Sequence, residues 1–167
     1  MVEIKSLQIL KVKKHFDFVE LEQKGDWIDL PFCGIHPSQI NKFKDYEVDE
    51  NFKTFYFKKD TYTILNLGVS IKLPDGFEAH LLPRSSLFLK KGILLGNSMG
   101  IIDNAYCGND DVWGFIAYFT RDTELKVGER IAQFRIERNM SSLYDIKIEF
   151  VEDLTKNNRG GFGSTGE

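Results

Sequence analysis

From residue 65 to 73 every second side chain is aliphatic: Leu65, Leu67, Val69, Ile71 and Leu73 alternate with Asn66, Gly68, Ser70 and Lys72. A period of two puts the apolar set on one face of an extended chain, whereas a helix would spread the same residues around its axis. The stretch therefore predicts a half-buried strand. Pro74-Asp75-Gly76 follows, with Pro fixing φ and Gly free to take a positive φ. Phe77, Ala79 and Leu81 then resume the alternation against Glu78, His80 and Leu82. Together the two stretches predict a hairpin.

The same grammar runs through the chain. Residues 112–119 (VWGFIAYF) form an almost unbroken apolar run, too short for a helix and rich in strand formers, and predict a strand buried on both faces. Ala132, Phe134 and Ile136 alternate with Gln133 and Arg135, and Ile146, Ile148 and Phe150 with Lys147 and Glu149. Short strands between Gly, Pro, Asn and Asp turns predict an all-β sandwich or barrel. Residues 31–59 lack a clean period and suit a short helix or a long loop packed by Phe43, Tyr46, Phe52 and Phe55. The last twelve residues (KNNRGGFGSTGE) hold four glycines and no aliphatic side chain, which predicts a flexible arm. The expected organisation is one domain over residues 1–156 and a C-terminal lid over 157–167, within the length of a single domain for 167 residues.

Charge narrows the function. A net charge of −3 and a pI near 5.7 provide no broad positive field for a nucleic-acid backbone, although a few arginines suffice for one nucleotide. Cys33 and Cys107 lie too far apart in sequence for a CxxC or zinc-ribbon pattern, which suits a reduced, cytoplasmic chain. No apolar run reaches the ~18 residues of a membrane helix, and the charged N-terminus does not read as a signal peptide. His15, His36 and His80 are scattered, so they predict no metal centre, and neither a GxSxG nucleophile nor a GxxxxGK[ST] phosphate loop is present.

Five segments do not read as plain strand or turn. In residues 25–32 (GDWIDLPF), Asp26 and Asp29 are either solvated loop carboxylates or site groups. In Pro83-Arg84-Ser85-Ser86-Leu87 a guanidinium fork and two hydroxyls follow a strand, a set suited to phosphate oxygens and equally to an ordinary turn. In residues 92–108 (GILLGNSMGIIDNAYCG), Asp103 is a turn residue or a base at a pocket mouth, with Tyr106 three positions on. Gln133 in residues 128–134 (GERIAQF) is a surface amide or a ligand. In the arm, glycine N–H groups with Ser164 and Thr165 can wrap phosphates, and Phe162 can cover a flat base.

Taken in order, Asp29-Leu30, PRSSL (83–87), GNSMGIIDNAYCG (96–108), GERIAQ (128–133) and RGGFGSTG (159–166) resemble the five motifs of the trimeric all-β dUTP pyrophosphatases, the dUTPase family. The motifs span nearly the whole chain, and five in order is a specific signal. The resemblance implies a distorted jelly-roll barrel with a Gly-rich C-terminal arm, and hydrolysis of dUTP to dUMP and pyrophosphate. This limits uracil in DNA and supplies dUMP for dTMP synthesis.

It also implies roles. The carboxylate of Asp103 orients the water that attacks the α-phosphorus; an aspartate of ordinary acidity is ionised at neutral pH and needs no tuning for this. Tyr106 lies against the deoxyribose and leaves no room for a 2′-hydroxyl. Uracil is read by main-chain groups of a hairpin in the third motif, at Gly100, Ile101 and Ile102, with Asn97 nearby. Cytosine, with the opposite donor and acceptor pattern, leaves buried polar groups unpaired at ~1–3 kcal/mol each. Arg84, Ser85, Ser86 and Gln133 hold phosphate oxygens, with Asp29 orienting Arg84. Arg159, Gly163, Ser164 and Thr165 close over the β- and γ-phosphates, and Phe162 stacks on uracil. Mg2+ is implied, held by the triphosphate and water rather than directly by the protein. The implied assembly is a homotrimer with shared active sites.

Two features depart from the pattern. The fifth motif is two residues shorter than usual between Arg159 and Phe162, and residues 31–59 are longer than the usual link; both features resemble a branch found in bacterial genomes and their phages. Asp110, Asp111 and Trp113 take no role from the resemblance. Two rivals stand beside it. dCTP deaminase shares the fold and an Arg-Ser phosphate turn, but relies on a base-pocket glutamate for which this chain has no counterpart. The other rival is a dUTPase-like protein acting mainly as a regulator that binds a protein partner, with residues 31–59 as its surface.

Overall fold

The computed structural model describes residues 6–154. Thirteen short strands dominate: β1 (Lys11–Lys14), β2 (Gln23–Lys24), β3 (Trp27–Pro31), β4 (Tyr46–Val48), β5 (Thr54–Phe57), β6 (Tyr62–Asn66), β7 (Val69–Lys72), β8 (Phe77–Pro83), β9 (Ile93–Leu95), β10 (Gly100–Ile102), β11 (Gly114–Phe119), β12 (Thr123–Lys126) and β13 (Arg130–Arg138). A 3-10 turn (Pro37–Gln39) and two short helices, α1 (Leu87–Lys91) and α2 (Met140–Leu143), complete the elements. The expected all-β fold is present. None of the helices among the described residues is long and apolar enough to cross a membrane.

The largest sheet has the order β10-β8-β13-β3-β2; β6-β11-β9 and β12-β5-β4 form two three-stranded sheets, and β1 pairs with β7. Their inner faces close on one core in which Phe57 stacks on Phe119 at 4.4 Å and Trp113 meets Phe134 edge-on at 5.0 Å. Aromatic pairs in these geometries add about 0.5–1.5 kcal/mol each beyond the area they bury. Residues 31–59 are more regular than expected: β4 and β5 pair and extend to β12, with Phe43 and Phe55 buried and Phe52 exposed.

Four expectations about strands are corrected. Residues 65–73 are two strands in different sheets, because the chain turns at Gly68, whose φ is +74°. A Cβ there would come within 2.6 Å of the Cys33 Sγ and 2.9 Å of Val19, so glycine alone fits the crossing. The five aliphatic residues are nonetheless all buried, and because Asn66 and Ser70 on the alternate positions are buried too, the stretch is not half-buried as expected. The predicted hairpin does not form either: β7 pairs with β1, and β8 with β10 and β13. The run 112–119 is buried on one face, with Phe115, Ala117 and Phe119 inward and Ile116 37% exposed. Finally, residues 145–150 make no strand pairing in the described chain, and Ile146, Ile148 and Phe150 are exposed.

Candidate active site

Strand register assembles the first group of polar residues. β13 lies between β3 and β8, so Gln133 is opposite Asp29 on one side and Leu82 on the other. A bulge between Arg130 and Ala132 buries Ile131 and Ala132 together and sets this register. The Gln133 amide donates to the Pro83 carbonyl at 3.1 Å, and the Arg84 N–H donates to the Ile131 carbonyl at 3.0 Å, which fixes the backbone where β8 ends.

The Asp29 carboxylate sits between two guanidinium groups, 3.3 Å from Arg84 Nε and 3.4 Å from Arg130 Nη1. One negative charge against two positive ones leaves a local excess of cation and spare N–H donors for an anion. Ser86 precedes α1 but its hydroxyl makes no capping bond, and Ser85 is exposed beside it. Arg84, Ser86, Lys90, Lys91 and Arg130 share a hollow of about 150 Å³ with Glu129. Lys91 is committed to Glu129 at 3.1 Å and to the Glu124 carbonyl.

The second group lies around a hollow of about 410 Å³ lined by Asn97, Gly100, Ile101, Ile102, Asp103 and Tyr106 together with His36, Ile64, Val112, Trp113 and Gly114. The third-motif hairpin is corrected here: β9 and β10 do not pair with each other. β9 is the outer strand beside β11 and β10 the outer strand beside β8, so each turns one edge away from its ladder. A gap flanked by two strand edges offers main-chain donors and acceptors in the plane of a ligand ring.

Asp103 begins a tight loop. Its Oδ1 accepts from the Ala105 N–H at 2.7 Å, and Asn104 anchors the loop on the Pro74 carbonyl at 2.8 Å. Asp111 closes the loop's far end by accepting from the Gly108 N–H at 2.7 Å. The Tyr106 hydroxyl donates to the Val112 carbonyl at 3.2 Å, and partial burial, reinforced by the Asp111 charge, holds its pKa above the ordinary phenol value, so that it stays a donor.

The two groups are offset along β8, with Gly100 of the second level with Leu81, beside the Leu82 that Gln133 faces. Ile102 is level with Ala79, which puts Asp103 level with Glu78, while Arg84 follows Pro83 at the other end. Six residues of strand span roughly 20 Å. Within the chain, then, Asp103 and Arg84 are separated by about that length of strand.

The family model for dUTPase matches residues 50–166, well over half of the chain. The chain belongs to the dUTPase family. Among the relatives of this dUTPase is the SPbeta prophage-derived deoxyuridine 5′-triphosphate nucleotidohydrolase YosS of Bacillus subtilis, 41% identical over 144 residues, or 86% of each chain. Its fold resembles the Staphylococcus bacteriophage 80alpha dUTPase with dUpNHpp (TM-score 0.65, 18% identity, 95% of this chain and 98% of the phage chain). It also resembles a variant dUTPase of S. aureus phage phi11 described with a structural Mg(II) ion (TM-score 0.62, 13% identity, 87% and 97%).

Of the residues expected at the dUTPase site, Asp29, Arg84, Ser85, Ser86 and Gln133 gather where β8 ends, and Asn97, Gly100, Ile101, Ile102, Asp103 and Tyr106 line the hollow beside β10, which runs from the level of Leu81 to that of Ala79. Arg159, Phe162, Gly163, Ser164 and Thr165 lie outside the described residues. Sequence reasoning missed Arg130, whose motif position gives no hint of its contact with Asp29, and His36, which in sequence is one of three scattered histidines. Trp113 proves to be a core residue, 1% exposed, and Asp110 makes only a surface pair with Lys13 at 3.7 Å.

Proposed function

We propose that this chain hydrolyses dUTP to dUMP and pyrophosphate at sites shared between copies of itself, with Asp103 orienting the attacking water. The observation that carries the shared site is the separation of Asp103 from Arg84 along β8. A second copy supplying its Arg84 end to the Asp103 end of the first brings both sets around one nucleotide, and repetition of that head-to-tail contact closes a cyclic trimer.

In this reading uracil enters the gap between the β9 and β10 edges, where main-chain groups pair with its O2, N3–H and O4 edge. Tyr106 packs against the deoxyribose. Asp103 has one oxygen committed to Ala105, and the other is available to accept a hydrogen from water and aim its lone pair at the α-phosphorus. The bond from the α-phosphorus to the bridging oxygen breaks, and pyrophosphate leaves with that oxygen. Arg84, the two serines and Gln133 hold the phosphate oxygens, and Asp29 keeps Arg84 in its rotamer. The arm residues Arg159, Phe162, Gly163, Ser164 and Thr165 close the site.

The donor set suits a divalent ion carried by the substrate. The guanidinium, hydroxyl and amide groups of this set can bind phosphate oxygens, and the guanidinium charge disfavours a free cation beside it. Mg2+ bound to the triphosphate would offset its charge and fix its curl. A cytoplasmic location suits a nucleotide substrate and two cysteines that stay unpaired, Cys33 buried and Cys107 exposed.

The test is pyrophosphate release from dUTP, dCTP, dTTP and UTP in parallel with Mg2+ present. Release from dUTP alone is expected. Ammonia from dCTP with no pyrophosphate from dUTP would overturn the reading in favour of the deaminase.

A further inference from the structure

His36 is placed with unusual economy at the back of the base and sugar hollow. Its backbone is held by two elements: the His36 N–H donates to the Ile64 carbonyl at 2.9 Å, and Ile35 bridges to Leu65. Pro37 then starts the 3-10 turn and fixes where the side chain leaves the backbone. On the ring, Nδ1 is 2.9 Å from Ser38 Oγ and accepts from the Ser38 N–H at 3.3 Å, so in the neutral ring the hydrogen resides on Nε2. That Nε2 lies 2.9 Å from the Val112 carbonyl oxygen.

The Val112 carbonyl is also the acceptor for the Tyr106 hydroxyl. A carbonyl oxygen has two lone pairs, so both donors are accommodated, and each limits where the other can sit. The carbonyl itself cannot swing away. Val112 is buried, and the next residue, Trp113, is tied through its N–H to the Val69 carbonyl and through its carbonyl to the Leu67 N–H. Gly114 completes the arrangement, since a Cβ there would lie 3.2 Å from His36 Cδ2 and 2.5 Å from Ile64 Cγ2. The imidazole reaches the carbonyl over a backbone kept bare for it.

We propose that His36 is a positioning residue for sugar discrimination: by sharing the Val112 carbonyl with Tyr106, it holds the phenol ring where a 2′-hydroxyl is excluded. This rests on the reading above that Tyr106 faces the deoxyribose. His36 itself touches no reacting atom.

Two substitutions separate this role from a structural one. The amide of His36→Gln extends to the Nε2 position and can still donate to Val112. That of His36→Asn reaches only the Nδ1 position, where it keeps the contact with Ser38 and loses Val112. The readout is the ratio of kcat/KM for dUTP to that for UTP, with thermal midpoints measured alongside. Loss of one hydrogen bond corresponds to about a tenfold change, so His36→Asn is expected to lower the ratio about tenfold and His36→Gln to hold it within about threefold, whatever either does to kcat. The reverse order, or equal losses on both substrates, would show that His36 serves only the 3-10 turn and would overturn the proposal. His36→Phe, which keeps a ring of similar breadth without a donor, should follow His36→Asn and decides the matter if that variant fails to fold. Tyr106→Ala is the control for the underlying reading. If it leaves the ratio unchanged, the sugar assignment of Tyr106 fails; if it lowers the ratio and His36→Asn does not, only the role of His36 fails.

Discussion

Asp29 holds two cations with one carboxylate, and this makes it a sensitive point of the phosphate end. Replacing it by Asn keeps the shape and removes the charge that fixes Arg84 and Arg130. Each pair is partly exposed, so the stability effect is small. The expected result is a raised KM for dUTP with little change in thermal midpoint; unchanged KM would separate Asp29 from the substrate. Asp103→Asn is expected to keep nucleotide binding and to lower kcat by ~10²–10⁴-fold, measured by pyrophosphate release against titration of a non-hydrolysable dUTP analogue.

Cys33 supplies a pH signature. Burial pushes its thiol up from 9.0 to about 12. The folded state therefore favours the neutral thiol, and the associated stability is intact below pH 9 and is lost as pH rises towards 12. Denaturant titrations at pH 7 to 11 should show this alkaline decline in the native chain and a flatter one in Cys33→Ala. The contact between Asp29 and Arg84 was legible only through the resemblance of the five motifs, since Asp29 by itself read equally as a solvated loop carboxylate. The contacts of Arg130 and His36 were not legible, since their partners are a residue 101 positions away and a main-chain carbonyl.

At the scale of elements, alternation identified buried aliphatic residues and failed to identify partners or the second face: Asn66 and Ser70 are buried, and Ile116 is exposed. The residues chosen as apolar between 65 and 73 are all inside, yet Gly68 divides them between two sheets. A period of two is blind to that division because a strand that crosses between sheets keeps its inward face inward. The glycine was the available sign, and its positive φ and the 2.6 Å clearance to Cys33 explain it. Gly68→Ala is expected to lower stability by about 1–3 kcal/mol or more through backbone strain alone, read as a lower thermal midpoint. If the midpoint does not move, the crossing is looser than described. The exposed segment carrying Ile146, Ile148 and Phe150 shows the opposite limit: its alternation marks apolar residues that make no strand pairing among the described residues.

Across the whole molecule, β8 acts as a spacer. Arg84→Ala and Asp103→Asn chains, each inactive alone, should regain activity when unfolded together and refolded, because hybrid assemblies contain sites with both native residues. With equal amounts mixed at random, about a quarter of the sites qualify. No recovery would place the complete site within one subunit and contradict the roughly 20 Å separation along the strand. The sequence motifs could indicate which residues cooperate, but their order along the chain carries no information about which copy each comes from.

The same spacing has a consequence for how activity scales with the amount of protein. If the site is shared between chains as proposed, it vanishes when those chains part. Turnover per chain then falls steeply on dilution, with each chain keeping its own residues and losing only its neighbours. Low expression would yield disproportionately little nucleotide clearance, and the response to rising expression would be steeper than linear.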